Sequence, residues 1–100
     1  MKALLSHAES VLTVSLDGCL DHTAGSSCQH LIDEISPIRV SRVIVDLSRV
    51  PRIDSVGLGM LYLVRDAVTG IDARLTLRGA TPTVLRLLEL TGSHQVFEIE

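Results

Sequence analysis

The sequence has no tryptophan and only two aromatic residues, Tyr62 and Phe97, so its core must be built from aliphatic side chains. Nine Lys and Arg against twelve Asp and Glu give a net charge of −3, and the basic residues are scattered. Proteins that bind single-stranded nucleic acid stack bases on aromatic side chains inside basic grooves. The composition therefore argues against direct binding of nucleic acid.

Cysteine and metal-binding patterns are also scarce. Cys19 and Cys28 form no C-x-x-C motif, and the four histidines show no spacing typical of a metal site. We expect two reduced thiols, with Cys28 as a small buried hydrophobic residue, and neither a metal nor a cofactor. No glycine-rich loop carries the lysine that nucleotide phosphates require.

Long hydrophobic runs are missing as well. The longest apolar stretch, residues 56–64, includes two glycines and is less than half of a membrane span. The first ten residues lack the apolar segment of a secretory signal. We expect a single cytoplasmic domain over residues 1–100, without membrane contact.

What the chain does contain is a regular succession of strand and helix patterns. Residues 2–8 and 11–17 predict a hairpin, and the apolar run 43–47 predicts a strand covered on both faces. Two further strands are predicted at 74–78 and 96–99. Helices between them give the order β-β-α-β-α-β-α-β, which predicts an α/β fold: a mixed sheet with its helices mainly on one face.

Helix boundaries follow from capping residues. Asp21 or Thr23 is the expected cap of the first helix, which must end before Pro37. The second helix is expected to end at residues 69–70, a Thr-Gly pair. Thr81 followed by proline predicts the start of the third, and Gly92 its end.

Ser55 lies where the strand at 43–47 has turned and the second helix begins. Free backbone N–H groups and the positive end of the helix dipole favour a phosphate at such a position. Gly57 and Gly59 lower the steric wall beside the hydroxyl, although both also suit close helix packing. Without its neighbours, Ser55 would be explained most simply as a helix cap.

Three segments carry a resemblance to a known family. The run VIVDLSRVPRIDSVGLGML at residues 43–61 resembles the signature of STAS domains, specifically of bacterial anti-sigma factor antagonists. GCLDHTA at 18–24 resembles the family's second signature, and LTG at 90–92 with VFEI at 96–99 resembles its C-terminal pattern. The resemblance covers the whole chain and implies a single STAS-like domain.

For the function, the resemblance implies a switch protein without catalysis of its own. The unphosphorylated protein binds an anti-sigma factor that is also a serine kinase, phosphorylation of Ser55 ends the binding, and a metal-dependent serine phosphatase restores the hydroxyl. Formation of a homodimer is left open. The residues implied in partner binding are Asp21, Asp54, Ser55, Val56, Gly57, Leu58 and Gly59.

Two other functions have partial support or counter-evidence in the sequence. Small STAS subunits of ABC-type lipid transporters, which bind the ATPase subunit, are similar in the DLSRVxR stretch, although they often have threonine at the position of Ser55. A serine hydrolase would need G-x-S-x-G, which is absent, and no feature places a histidine near Ser55. The transporter subunit is therefore the alternative, and we expect no enzymatic activity.

Overall fold

The computed structural model describes residues 1–100. The strands are β1 (Lys2–Ala8), β2 (Val11–Asp17), β3 (Arg42–Arg49), β4 (Arg74–Arg78) and β5 (Glu98–Ile99). The helices are α1 (Gly25–Ile35), α2 (Ser55–Gly70) and α3 (Pro82–Leu90), with short 3₁₀ helices at His22–Ala24 and Ser93–Gln95. Strands and helices follow one another in the predicted order.

The five strands lie side by side in the same order as in the chain. β1 and β2 are antiparallel, whereas β2, β3, β4 and β5 are parallel neighbours, so the sheet is mixed as predicted. Each parallel pair is joined through a helix, and such crossovers are almost always right-handed. Because every crossover steps in the same direction across the sheet, all three helices lie on one face.

The core lies between that face and the helices. Val43, Val45 and Leu47 of β3 belong to one cluster of buried apolar residues with the inner sides of α1, α2 and α3. Ile44 points to the opposite face, where no helix packs, and is nevertheless only 4% exposed. β3 is therefore buried on both faces at this position, as predicted. On the face without helices, Ile44 is in register with Thr13 of β2 and Thr76 of β4.

One predicted strand boundary is wrong. The last strand is only Glu98–Ile99, because the 3₁₀ helix Ser93–Gln95 keeps the preceding residues out of the sheet, and Phe97 donates its N–H to the Ser93 carbonyl. Phe97 instead fills the core, with its ring centroid 5.0 Å from that of Tyr62. α2 ends at Gly70, as predicted, but the left-handed residue that follows it is Asp72 (φ 58°) and not the glycine.

Candidate functional site

Two loops meet at the carboxyl ends of β2 and β3. Leu20 donates its N–H to the Arg52 carbonyl (3.0 Å), and the Asp54 N–H donates to the Leu20 carbonyl (3.2 Å). These bonds make a parallel bridge between Leu20 and Ile53, whose side chains are both buried. The two sequence signatures, at residues 18–24 and 43–61, are thus joined by backbone hydrogen bonds at the start of α2.

Asp54, rather than Ser55, caps α2. The Gly57 N–H donates to Asp54 Oδ1 (2.9 Å), and the Leu58 N–H donates to the Asp54 carbonyl (2.8 Å). Ser55 is the first helical residue and is exposed, and its hydroxyl has no hydrogen-bond partner in the protein. Ser55 is therefore not the cap of α2, and its hydroxyl makes no hydrogen bond that stabilises the fold.

Gly57 and Gly59 have different environments. A Cβ built on Gly57 would lie 1.9 Å from the Leu20 carbonyl oxygen, far inside van der Waals contact, so only glycine allows this approach of α2 to the loop. A Cβ on Gly59 would meet nothing within 4 Å. The primary role of Gly57 is thus close packing of two backbone segments, not access to the hydroxyl.

Asp21 caps the 3₁₀ helix that precedes α1. Its Oδ1 accepts hydrogen bonds from the Thr23 N–H (2.9 Å) and the Thr23 hydroxyl. Its Oδ2 lies 3.8 Å from Nη2 of Arg52. The Thr23 hydroxyl, then the Thr23 amide, and in smaller measure the nearby His22 and Arg52 charges lower the pKa of Asp21. Of the two residues expected to cap the first helix, Asp21 caps this 3₁₀ helix, whereas α1 itself has Ala24 at its N-cap and no side-chain cap.

The exposed surface of α2 between Val56 and Leu63 is apolar and nearly flat. Val56 is 49% exposed and Leu63 is 55% exposed, and Gly59 between them leaves the helix surface flat. These three residues share one side of the helix because they are spaced by three and four positions. Leu58 is half-buried and packs against the core. The structure thus gathers the predicted residues around the first turns of α2, with Gly57 contributing only buried backbone.

Other kinds of site are not found around Ser55. No group of three or more His, Cys, Asp and Glu residues is arranged to hold a metal ion. The helices are all too short or too polar to cross a bilayer. Cys28 is buried, which raises the pKa of its thiol. The largest groove, about 910 Å³, is lined by the start of β1, the ends of β2 and β3, and α1, and it does not include Ser55.

A family comparison agrees with this geometry, because the model of the STAS domain matches residues 2–100. The chain belongs to the STAS family. A STAS-domain containing protein of Pseudomonas aeruginosa is 32% identical over 97 residues, which cover 97% of this chain and 95% of that protein.

Solved structures share the fold of this STAS domain. The anti-sigma factor antagonist SpoIIAA in its unphosphorylated form matches with a TM-score of 0.79 at 21% identity, over 98% of this chain and 87% of that one. SpoIIAA of Bacillus in its phosphorylated form matches with a TM-score of 0.70 at 21% identity, over 98% and 90% of the two chains. A sulfate transporter family protein from Wolinella succinogenes matches with a TM-score of 0.78 at 18% identity, over 90% and 75%.

Sequence reasoning missed two contributors to this STAS site. The Leu20 carbonyl requires glycine at position 57. Because this carbonyl belongs to the backbone, the residue type at position 20 does not indicate the contact. Arg52 approaches Asp21 only because the two loops are bridged. The one available signal was that an arginine stands three residues before Ser55.

Proposed function

We propose that this STAS domain is an anti-sigma factor antagonist whose binding to an anti-sigma factor serine kinase is controlled by phosphorylation of Ser55. The observation that carries the proposal is the exposed, unpartnered Ser55 hydroxyl on the first residue of a helix that is already capped by Asp54. Phosphorylation at this position therefore breaks no hydrogen bond of the folded protein. SpoIIAA, which has the same fold, exists in unphosphorylated and phosphorylated forms.

The proposed partner surface consists of the exposed residues around that hydroxyl. Val56 and Leu63 supply exposed apolar area along α2, and Gly59 lets another backbone approach closely. Asp21 and Asp54 add negative charge at the rim, and their side chains are held by hydrogen bonds. Such a surface suits a partner with an apolar patch and cationic groups at its edge.

A phosphate on Ser55 has a smaller effect on the free energy of the free protein than on that of the complex. In the free protein, the N-terminus of α2 stabilises the added charge by roughly 0.3–1 kcal/mol, which offsets part of the repulsion from Asp54. In the complex, the same group is desolvated in an interface shaped for a hydroxyl, at a cost of roughly 2–5 kcal/mol. The second effect is larger, so phosphorylation lowers the affinity by about two to three orders of magnitude.

The chemistry of the switch is divided among the partners. This chain presents the hydroxyl, while the kinase binds ATP and Mg²⁺ and transfers the γ-phosphoryl group of ATP to the Ser55 oxygen, releasing ADP and a proton. A metal-dependent serine phosphatase then removes the phosphate and restores the binding form. In this scheme the STAS domain is a substrate and a ligand.

The proposal is tested by incubating the protein with the candidate kinase and ATP and measuring the intact mass. We expect one added phosphoryl group on the wild type and none on Ser55→Ala. Binding to the kinase is then measured for Ser55→Glu, with Thr83→Glu as matched control, since Thr83 is exposed in the first turn of α3. Weak binding by the first variant and wild-type binding by the second support the proposal; phosphate on Ser55→Ala contradicts it.

A transporter subunit is the second candidate, because the Wolinella protein of the sulfate transporter family has this fold. That function requires stable association with a transporter ATPase or permease. Purification of the tagged protein separates the two functions. Recovery of a transporter subunit that is unaffected by Ser55→Glu favours the transporter, and recovery of a kinase that is lost in Ser55→Glu favours the switch.

A further inference from the structure

Arg52 is the cationic residue that the two bridged loops bring beside the start of α2. Its guanidinium lies 3.8 Å from Asp21 Oδ2, which is longer than a hydrogen bond. The Arg52 side chain is 69% exposed, whereas that of Asp21 is 15% exposed. Asp21 is held in place through Oδ1 by Thr23. The carboxylate is therefore fixed and the guanidinium is only loosely attached to it.

The backbone sets the position of Arg52 relative to Ser55. The Arg52 carbonyl is bonded to the Leu20 N–H, and the Asp54 N–H is bonded to the Leu20 carbonyl. Arg52 and Ser55 are three residues apart, so their Cα atoms are separated by roughly 10 Å at most. The long arginine side chain spans most of this distance. The length of the Arg52 side chain is therefore sufficient for a contact with a phosphate on Ser55.

The charges around Ser55 make this cation important. Asp21 and Asp54 are both acidic and both lie on the segments joined at the start of α2. His22 is the other titratable group whose charge acts on Asp21. A phosphate adds a further charge of −1.5 to −2 among these carboxylates. An arginine guanidinium can form two parallel hydrogen bonds with the oxygens of a phosphate. At 3.8 Å from Asp21 Oδ2, the Arg52 guanidinium forms no hydrogen bond with that carboxylate oxygen.

We propose that Arg52 is a counter-ion that moves from Asp21 to the phosphate when Ser55 is phosphorylated. The proposal rests on the proposed function for the existence of that phosphate. In the unphosphorylated protein Arg52 neutralises part of the Asp21 charge. In the phosphorylated protein it pairs with the new dianion, and Asp21 regains its full negative charge. Phosphorylation therefore changes two points of the partner surface at once.

The test measures the second pKa of the phosphate by ³¹P NMR in protein with phosphoserine installed at position 55 during synthesis. All samples carry His22→Gln, since imidazole titrates in the same range as a phosphate monoester. Removal of Arg52 by Arg52→Ala is expected to raise this pKa by about 0.3–0.7, the size of an exposed ion pair. Arg52→Lys retains the charge and is expected to restore at least half of the difference.

Arg49→Ala is the matched control, because Arg49 forms an equally loose exposed pair with Asp17, at 3.9 Å, on the preceding part of the same segment. This control is expected to leave the phosphate pKa unchanged. The proposal would be overturned if the phosphate pKa were the same in the Arg52→Ala and parent proteins. It would also be overturned if Arg49→Ala raised this pKa as much as Arg52→Ala, or if Arg52→Lys restored none of the difference. Because no kinase is needed to install the phosphoserine, failure of the counter-ion and failure of the proposed function are separate results.

Discussion

The starts of α2 and α3 have the same kind of cap but different surroundings. Asp54 caps α2 through the Gly57 N–H at 2.9 Å, and Thr81 caps α3 through the Val84 N–H at 3.3 Å. At α2 the helix backbone itself touches another segment, where Gly57 meets the Leu20 carbonyl. At α3 the corresponding contact is made by a side chain, since the Thr81 hydroxyl donates to the Val50 carbonyl (3.5 Å). The comparison shows that capping defines where a helix begins, whereas the contact of Gly57 decides how the site around Ser55 is assembled.

The largest effect is expected when this contact is broken. Gly57→Ala places a Cβ against the Leu20 carbonyl oxygen and carbon, which are backbone atoms and cannot rotate away. We expect the free energy of unfolding to fall by about 2–3 kcal/mol, as measured by urea denaturation. The segment around Leu20 must move away from α2, so binding of the proposed partner is expected to weaken as well.

Gly59→Ala is the control for that substitution. Gly59 is helical, exposed and without neighbours, so alanine removes backbone freedom of the unfolded chain and adds helix propensity. The free energy of unfolding is expected to rise by about 0.5–1 kcal/mol. If Gly57→Ala behaves like Gly59→Ala, the close contact between α2 and the Leu20 carbonyl does not exist in solution.

Removal of the two caps is expected to have a smaller effect. Asp54→Ala leaves the Gly57 N–H without its partner and removes a negative charge from the positive end of the helix dipole. We expect a loss of about 1–2 kcal/mol for Asp54→Ala and about 0.5–1 kcal/mol for Thr81→Ala, measured by thermal or urea unfolding. A larger loss for Thr81→Ala would contradict the shorter hydrogen bond at α2.

The smallest effect is expected for Asp21, whose contribution to the free energy of unfolding depends on pH. Its pKa is lower in the folded than in the unfolded protein, so its ionised form stabilises the fold above the unfolded value of about 3.9. This contribution is lost as the pH falls through the folded pKa. The urea midpoint of Asp21→Asn should therefore lie below that of the wild type at pH 6, and the gap should narrow at pH 3. A gap that stays constant with pH would show that charge is not involved.

The order of elements was predictable because it depends on local patterns. Alternation in residues 11–17, the Thr81-Pro82 pair and the glycine at 92 each act within a few residues, and the structure agrees with all of them. Residues 96–99 were predicted as a strand because Val96 and Phe97 are strand-forming types. Tertiary packing overrides that preference, since Phe97 is buried against Tyr62 before the strand begins.

The candidate site was predictable in part for the same reason. Asp54, Ser55 and the glycines are close in sequence, and Asp21 was linked to them only through the family resemblance. The contacts of Gly57 with Leu20 and of Arg52 with Asp21 depend on the pairing of two distant loops. A single sequence without aligned relatives carries no direct signal of such pairing.

The side-by-side order of the five strands, identical to their order along the chain, has a consequence for biosynthesis. A chain that leaves the ribosome from its N-terminus always has the neighbouring strand available before the next one emerges. Every strand pair is therefore formed by consecutive strands, and no early strand has to pair with a partner encoded near the C-terminus.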